Sequence, residues 1–356
     1  MKSLFSPLTL GSLELPNRVL MAPLTRCRAE AGHVPGKLMA EYYAQRSSAG
    51  LIIAEATMVM EGNSAFYAEP GIYSQEQIAG WRGVTDAVHG KDGRIFLQLW
   101  HGGRACHSLF NNGAQPVAPS AIAITNDEVT TPDGKKPYDV PRELSDEELP
   151  GIIEGFRIAA MNAKTAGFDG VEIHAANGYL LDEFLRNGSN KRTGAYGGPI
   201  KCRARLLLEV LEAVAGVFGG GRTAVRISPL NSFNSMSDSD PIGLATWLAH
   251  ALEPFSLSYL HVMRADLLGM QQGDVLAAVR SNYSGNLVAN MAYSPEEADE
   301  SISSGIIDAV AFGTAFLANP DLPWRISKKA PLNAPDPATF YTPGPVGYTD
   351  YPPLEL

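Results

Sequence analysis

The chain has 356 residues, 45% of them hydrophobic, which is ample for the core of one large or two smaller α/β domains. Lys and Arg total 28 against 38 Asp and Glu, a formal net charge of −10. A surface of that sign repels phosphate backbones and anionic lipid, so nucleic acid and membranes are excluded as main partners.

The opening residues up to Pro16 carry a single Lys and no continuous apolar run, so no secretory signal is expected. Leu8–Leu10 and Leu13–Leu15 flank Gly11-Ser12, which predicts a hairpin, placed to plug the bottom of a barrel. One phrase then recurs eight times: a helix-like segment, a short β-rich run, and a polar or Gly/Pro-containing loop. The β-rich runs are Val19–Met21, Leu51–Ala54, Ile95–Leu99, Val171–His174, Ala224–Ile227, Tyr259–Met263, Leu287–Ala289 and Ala309–Phe312. Short apolar runs between helices are the pattern of a fully buried parallel sheet.

The helices carry their own punctuation. Ser74 with Gln77 predicts a capping box, followed by Ile78, Trp81, Val84 and Val88 on one face. Ser145 with Glu148 predicts a second box, with Pro150 in the first turn and Gly167 as the stop. Ser294-Pro295-Glu296-Glu297 predicts a third start, closed by Gly305. From Trp100 to about Leu144 runs a long excursion rich in Pro, Gly, Asn and Asp. It leaves from the C-terminal end of the third run, so it is a candidate lid.

Strand–helix alternation along the whole chain means a parallel sheet. Eight repeats favour closure into a single (β/α)8 TIM barrel, one domain over residues 1–356. An open doubly wound sheet would show a Gly-rich turn after an early strand. No GxGxxG follows any run, and Gly219-Gly220-Gly221 precedes the fifth one instead. Cys27, Cys106 and Cys202 are odd in number and widely spaced, which suggests neither zinc site nor disulfide framework and fits a reducing, cytoplasmic setting.

In such a barrel the chemistry gathers where strands end. Those positions read Thr25, Gln98 and Trp100, His174 and Asn177, Arg226, and Gly313-Thr314. The set is rich in donors and poor in acids. It offers no cluster to hold a metal and no strand-end Lys for a Schiff base, and it suits a polar, planar or anionic ligand. Arg226 in a buried strand is costly alone, so a bound partner is expected there. His174 and Asn177, joined by a helical turn, would set two N–H donors on one substrate oxygen. Tyr179 supplies a weak acid beside them. His101 and His107 read as ordinary loop or surface residues, and Cys27 as a small hydrophobe near the site.

The segment His174-Ala175-Ala176-Asn177-Gly178-Tyr179-Leu180-Leu181-Asp182-Glu183-Phe184-Leu185, with Ser189-Asn190-Lys191-Arg192 after it, closely resembles the old yellow enzymes. Met21-Ala22-Pro23-Leu24-Thr25-Arg26, Asn319-Pro320-Asp321-Leu322 and Gly347-Tyr348-Thr349-Asp350-Tyr351-Pro352 extend the resemblance in the same order. Ala49–Thr57 and Arg226–Asn231 look particularly like the trypanosomatid members, including those called prostaglandin F2α synthase.

The resemblance implies an FMN-containing barrel that takes electrons from NADPH (or NADH). It would reduce activated C=C bonds of α,β-unsaturated carbonyls by ping-pong turnover, as a monomer or homodimer. Quinones, nitro compounds and prostaglandin endoperoxides also fall within its reach.

By the same resemblance, Pro23, Leu24, Thr25, Ala56, Gln98 and Arg226 hold the flavin ring, and Gly313 offers its N–H to the phosphate. His174 and Asn177 bind the substrate carbonyl and Tyr179 donates the proton. Trp100, Phe66 and Tyr341 wall the pocket, with Tyr67 competing for the place of Phe66. Two departures fall at the phosphate end. Thr314 stands where many relatives have Arg, and Asn290-Met291 where they often have Gly. Two other readings remain: a phosphate-binding barrel of aldolase or isomerase type, and a barrel that binds FMN without turnover.

Overall fold

The computed structural model describes residues 1–125 and 127–354. Eight parallel strands close into a barrel. They are β1 (Val19–Met21), β2 (Ile52–Met58), β3 (Ile95–Trp100), β4 (Gly170–Ala175), β5 (Thr223–Ile227), β6 (Tyr259–Met263), β7 (Leu287–Asn290) and β8 (Ala309–Phe312). Each pairs with its neighbour in chain order, and β8 returns to β1. The expected TIM barrel is therefore present, with every β-rich run in its own strand.

Helices α1 (Lys37–Gln45), α2 (Gln75–His89), α3 (Leu149–Thr165), α4 (Arg205–Phe218), α5 (Pro241–Leu252), α6 (Val275–Arg280), α7 (Pro295–Ser303) and α8 (Leu322–Lys328) follow the strands in turn. Their apolar faces pack on the outside of the barrel in one continuous core. Among the described residues no helix is long and apolar enough to cross a membrane.

Two of the three helix starts are as read. Ser74 and Gln77 form a reciprocal capping box on α2, and Ser294 accepts from the Glu297 N–H on α7. The third differs. Glu148 reaches back to the Ser145 N–H at 2.8 Å, which is half of the expected box, and is gripped by Arg142 at 2.8 and 2.9 Å, but no side chain caps the first N–H groups of α3. The carboxylate serves the preceding loop rather than the helix.

β2 also runs further than its apolar stretch suggested. Glu55 ends the readable run, yet it is fully buried inside the strand. It accepts from the Arg26 N–H at 3.1 Å and from the Tyr43 hydroxyl at 3.1 Å. Burial pushes its carboxyl up to about 7, against the pull of these donors.

The N-terminal hairpin closes the lower end of the barrel. Leu10 and Leu15 are buried among Leu20, Leu51, Ile53, Phe96 and Val288 in a cluster separate from the outer core. Its turn meets the start of β5, where Ser12 N–H donates to the Gly221 carbonyl at 3.2 Å. Gly11 has φ 57, and a Cβ there would lie 2.2 Å from the Gly221 oxygen, so glycine is required. The long excursion after β3 is more structured than a bare loop. It carries an antiparallel hairpin, Glu128–Thr131 with Gly134–Pro137, and a short parallel pairing of Val117–Ala118 with Arg142–Glu143.

Candidate active site

A cavity of about 540 Å³ opens at the C-terminal mouth of the barrel, within the usual range of small-molecule pockets. Its walls include Pro23 and Leu24 after β1, Asn177 and Tyr179 after β4, and Arg226 of β5. Asn290 at the end of β7, Met291 after it, Gly313 and Thr314 after β8, and Tyr341 complete the set of sequence-derived residues there. A second cavity of about 310 Å³ adjoins it and shares Tyr179, Phe233 and Tyr341. Phe66, Cys27, Tyr138 and Val129 of the excursion's hairpin wall this second space.

Other residues singled out in the sequence lie elsewhere. Ala56 and Gln98 face each other across β2 and β3 and are buried beneath the mouth. Trp100 is fully buried behind Tyr179, with ring centroids 5.2 Å apart at 89°. Thr25 follows Leu24 in the β1 loop and is half-buried. Tyr341 stacks on Phe66 at 6.3 Å, but it is 57% exposed, at the rim. His101 and His107 are not surface residues, being 5% and 4% exposed. Each Nδ1 accepts a backbone N–H two residues on, at 3.1 and 3.2 Å, and so holds a turn of the excursion. Cys27 is buried, and burial pushes its thiol up, away from reactive thiolate.

Arg226 is the least ordinary group in the mouth. Only 6% of it is exposed, and its Nε is buried without a partner. Burial lowers its pKa, against the pull of Glu172. Glu172 lies one layer down in β4, fully buried. It accepts from Gln98 Nε2 at 2.8 Å and contacts His261 Nδ1 at 2.9 Å. Burial works to raise its pKa, but His261, Arg226 and Gln98 outweigh this and hold it below the usual carboxylate range. An anion therefore sits beneath the cation, and the cation's own donors remain for a ligand.

His174 lies beside Arg226 in the β4–β5 register. Burial, then the charges of Arg226 and His261, hold the imidazole well below 6.5, so it is neutral. Its Nδ1 accepts the Ala176 N–H at 3.3 Å, which leaves the ring proton on Nε2 as a donor. Tyr179 packs edge-on against His174, centroids 5.1 Å apart at 84°. Burial pushes its phenol up, so it stays protonated.

Asn177 is not reached by a helical turn. It has φ 59, followed by Gly178 with φ 74, so two left-handed residues swing the chain across the mouth. Added bulk at Gly178 would meet Asn234 and Met236 at 2.7 Å. Asn231 Nδ2 donates to Asn177 Oδ1 at 2.9 Å, which leaves the Asn177 amide protons for the cavity. Sequence reading did not single out Asn231, Phe233, Glu172 or His261. For Glu172 the signal was present: a carboxylate between Val171 and Ile173 in an otherwise apolar strand.

The pocket accommodates a long, acceptor-rich ligand. One end offers an unpartnered buried cation. At the other, Met291, Ala292, Gly313 and Thr314 have backbone N–H groups that donate to no backbone carbonyl, after strands 7 and 8, where such barrels commonly seat a phosphate. These features define a barrel enzyme built around a phosphate-bearing cofactor, and they fit FMN.

Residues 3–333 match the NADH:flavin oxidoreductase / NADH oxidase family. The chain is 49% identical over 354 residues to a probable flavin mononucleotide-dependent alkene reductase of Leishmania infantum, covering 98% of this chain and 97% of that protein. It superposes on the old yellow enzyme from Trypanosoma cruzi with a TM-score of 0.96 at 48% identity, covering 99% of each chain. Morphinone reductase in complex with tetrahydroNAD matches with a TM-score of 0.95 at 47% identity, covering 99% of this chain and 98% of that one.

The chain belongs to the NADH:flavin oxidoreductase / NADH oxidase family. It is an FMN-dependent oxidoreductase of the old yellow enzyme type with a nicotinamide reductant, as the sequence motifs implied. The aldolase- or isomerase-type reading falls away with that membership.

Proposed function

We propose that residues 1–356 act as one FMN-binding unit that reduces the activated double bond of α,β-unsaturated carbonyl compounds, with Tyr179 as proton donor. Bound FMN supplies hydride chemistry between a nicotinamide and an alkene. The observation that carries the reading is Arg226, a buried cation on the cavity wall whose Nε has no partner. A flavin pyrimidine edge, which gains electron density on reduction, is the kind of acceptor it requires.

In this reading Pro23, Leu24 and Ala56 pack along the ring, and Thr25 and Gln98 serve its polar edge. Gln98 is held from behind by Glu172. Asn290, Met291, Gly313 and Thr314 receive the phosphate. His174 Nε2 and the Asn177 amide donate to the substrate carbonyl oxygen, where negative charge grows in the transition state. One well-placed donor of this kind lowers the barrier by roughly 2.7–4 kcal/mol. Tyr179 then passes its proton to the α-carbon, and its raised pKa keeps that proton in place until it is needed.

NADPH or NADH and the alkene take turns in one pocket, hence ping-pong kinetics. The second cavity, with Phe66 and Tyr341 stacked beside it, suits the apolar body of an enone, a quinone or a prostaglandin endoperoxide. Trp100 acts here by backing Tyr179. Cys27 and Cys106, buried as free thiols, agree with a reducing cytoplasmic setting.

The test is the visible spectrum of the purified protein, followed anaerobically through NADPH and then cyclohexenone. A yellow protein that bleaches with NADPH and recolours with the enone is the expected result. Bleaching without recolouring would sink the alkene-reductase reading while leaving a flavin enzyme.

A further inference from the structure

The two ends of the cleft differ in charge. Arg226 at the β5 end is the one cation among the described residues lining the cavity. The far end, after β7 and β8, is walled by Asn290, Met291, Ala292, Gly313 and Thr314, none of which bears a charge.

A cation does belong to this loop cluster, but it is committed elsewhere. Arg264 is paired through both terminal nitrogens with Glu297. Its Nε donates to the Met291 carbonyl at 2.8 Å and its terminal nitrogen to the Ala292 carbonyl at 3.2 Å. The guanidinium also lies 3.6 Å from the centroid of the Tyr293 ring. Met291 and Ala292 have φ 92 and 53, a conformation that non-glycine residues hold only when their surroundings enforce it. Arg264 provides that enforcement from behind, with its charge balanced by Glu297. The cavity side of the loop is left with neutral donors: backbone N–H groups and the Thr314 hydroxyl. Ala292 and Thr314 are exposed, so water reaches this end.

We infer that the phosphate seat of this protein is electrically neutral, and that the cleft accepts riboflavin, the dephosphorylated flavin, as well as FMN. This rests on the flavin reading of the cleft. A guanidinium adds coulombic attraction to its hydrogen bonds with a phosphate, a gain of about 10- to 100-fold in affinity, and among the described residues no such group lines this end of the cavity. The net charge of −10 also works against a dianion. Recognition is therefore concentrated on the ring, at Arg226.

The experiment is a competition on the holoprotein. It is held with equal excesses of FMN and riboflavin until exchange is complete, then desalted and denatured, and the released flavins are quantified by chromatography. Both flavins are expected among those released, with FMN in excess. The Thr314→Arg variant restores a cation to the seat, and its preference for FMN should rise by about 10- to 100-fold. Release of FMN alone from the unaltered protein overturns the inference and leaves the flavin reading intact. A Thr314→Arg protein that folds with an unchanged ratio overturns it too, because the phosphate would then lie elsewhere. Retention of neither flavin overturns the flavin reading and this inference together.

Discussion

The lower and upper halves of the barrel are made from the same eight strands and follow different rules. Below, the hairpin leucines meet Leu20, Leu51, Ile53, Phe96 and Val288, and the interior is almost wholly apolar. Above, Gln98, Glu172, His174, Arg226 and His261 are all buried, and Arg226 Nε and Trp100 Nε1 find no partner. An orphaned buried donor costs about 1–3 kcal/mol. The lower half is therefore built for stability. The upper half gives up some of that stability, and of these two orphaned donors only Arg226 faces the cavity.

Tyr179→Phe should break function without touching stability, and it carries the largest expected effect. Enone reduction should slow by about 10²- to 10⁴-fold, while flavin reduction by NADPH and the melting temperature hold. Stopped-flow measurement of the two half-reactions checks this; an equal fall in both would remove Tyr179 from the proton-donor role. Leu10→Ala is the converse. The cavity left in the plug should cost about 2–5 kcal/mol in denaturant unfolding, with flavin affinity unchanged. A concurrent tenfold loss of flavin would mean that the halves are not independent.

Arg226→Met should lower FMN affinity by about 10- to 100-fold, the range for hydrogen bonds to a charge. The ligand-free protein should be no less stable, since a buried, poorly paired charge has been replaced by an apolar side chain. Calorimetry with and without FMN decides; a less stable ligand-free variant would make Arg226 a structural residue.

The smallest effect concerns Glu183, buried in the short helix that follows Tyr179. Burial lifts its pKa from 4.5 to about 8, despite Arg104 nearby. The folded state thus binds this proton more tightly than the unfolded state. The associated stability is complete below pH 4.5 and is lost as pH rises through about 8. Asp182 and Glu55, lifted by burial to about 6 and about 7, add the same trend at lower pH. Glu183→Gln should flatten the upper part of the melting profile; an unchanged profile at pH 8 would show that this carboxyl does not govern it.

The lower half was the more legible in sequence, because its signals are local. Leucines at alternate positions around Gly11-Ser12 and runs of apolar residues act within a few residues of one another. The upper half depends on distant partners. Glu172 meets a histidine 89 positions away, and Asn231 orients an amide 54 positions away. Nothing in either neighbourhood announces the other. Arg226, Asn177 and Tyr179 could be found because they stand at strand ends. Gln98 and Trp100 were read at a strand end and Ala56 beside the ring; the structure buries all three beneath or behind the cavity wall, a depth that local sequence does not show. The hairpin at Glu128–Pro137 was obscured by its polar composition, with only Val129 and Thr131 buried.

Asp266 gives the mouth a fixed bank and a loose bank. Its carboxylate accepts from the Ser232 N–H and hydroxyl at 2.8 Å, and from the N–H groups of Leu268, Met270 and Gln271 at 3.1, 2.7 and 3.0 Å. The loops after β5 and β6 are thereby joined at one point, next to the Asn231 that aligns Asn177. The Glu128–Pro137 hairpin is tied to the β5 loop just before it starts, where Thr125 and Ser235 exchange hydrogen bonds at 2.9 and 3.0 Å; beyond that its backbone is held by its own ladder, and Tyr341 stands open at the rim. The hairpin side is therefore the one expected to yield first when the cleft widens. Amide hydrogen exchange faster at Val129–Thr131 than at Leu268–Gln271 is the corresponding signature.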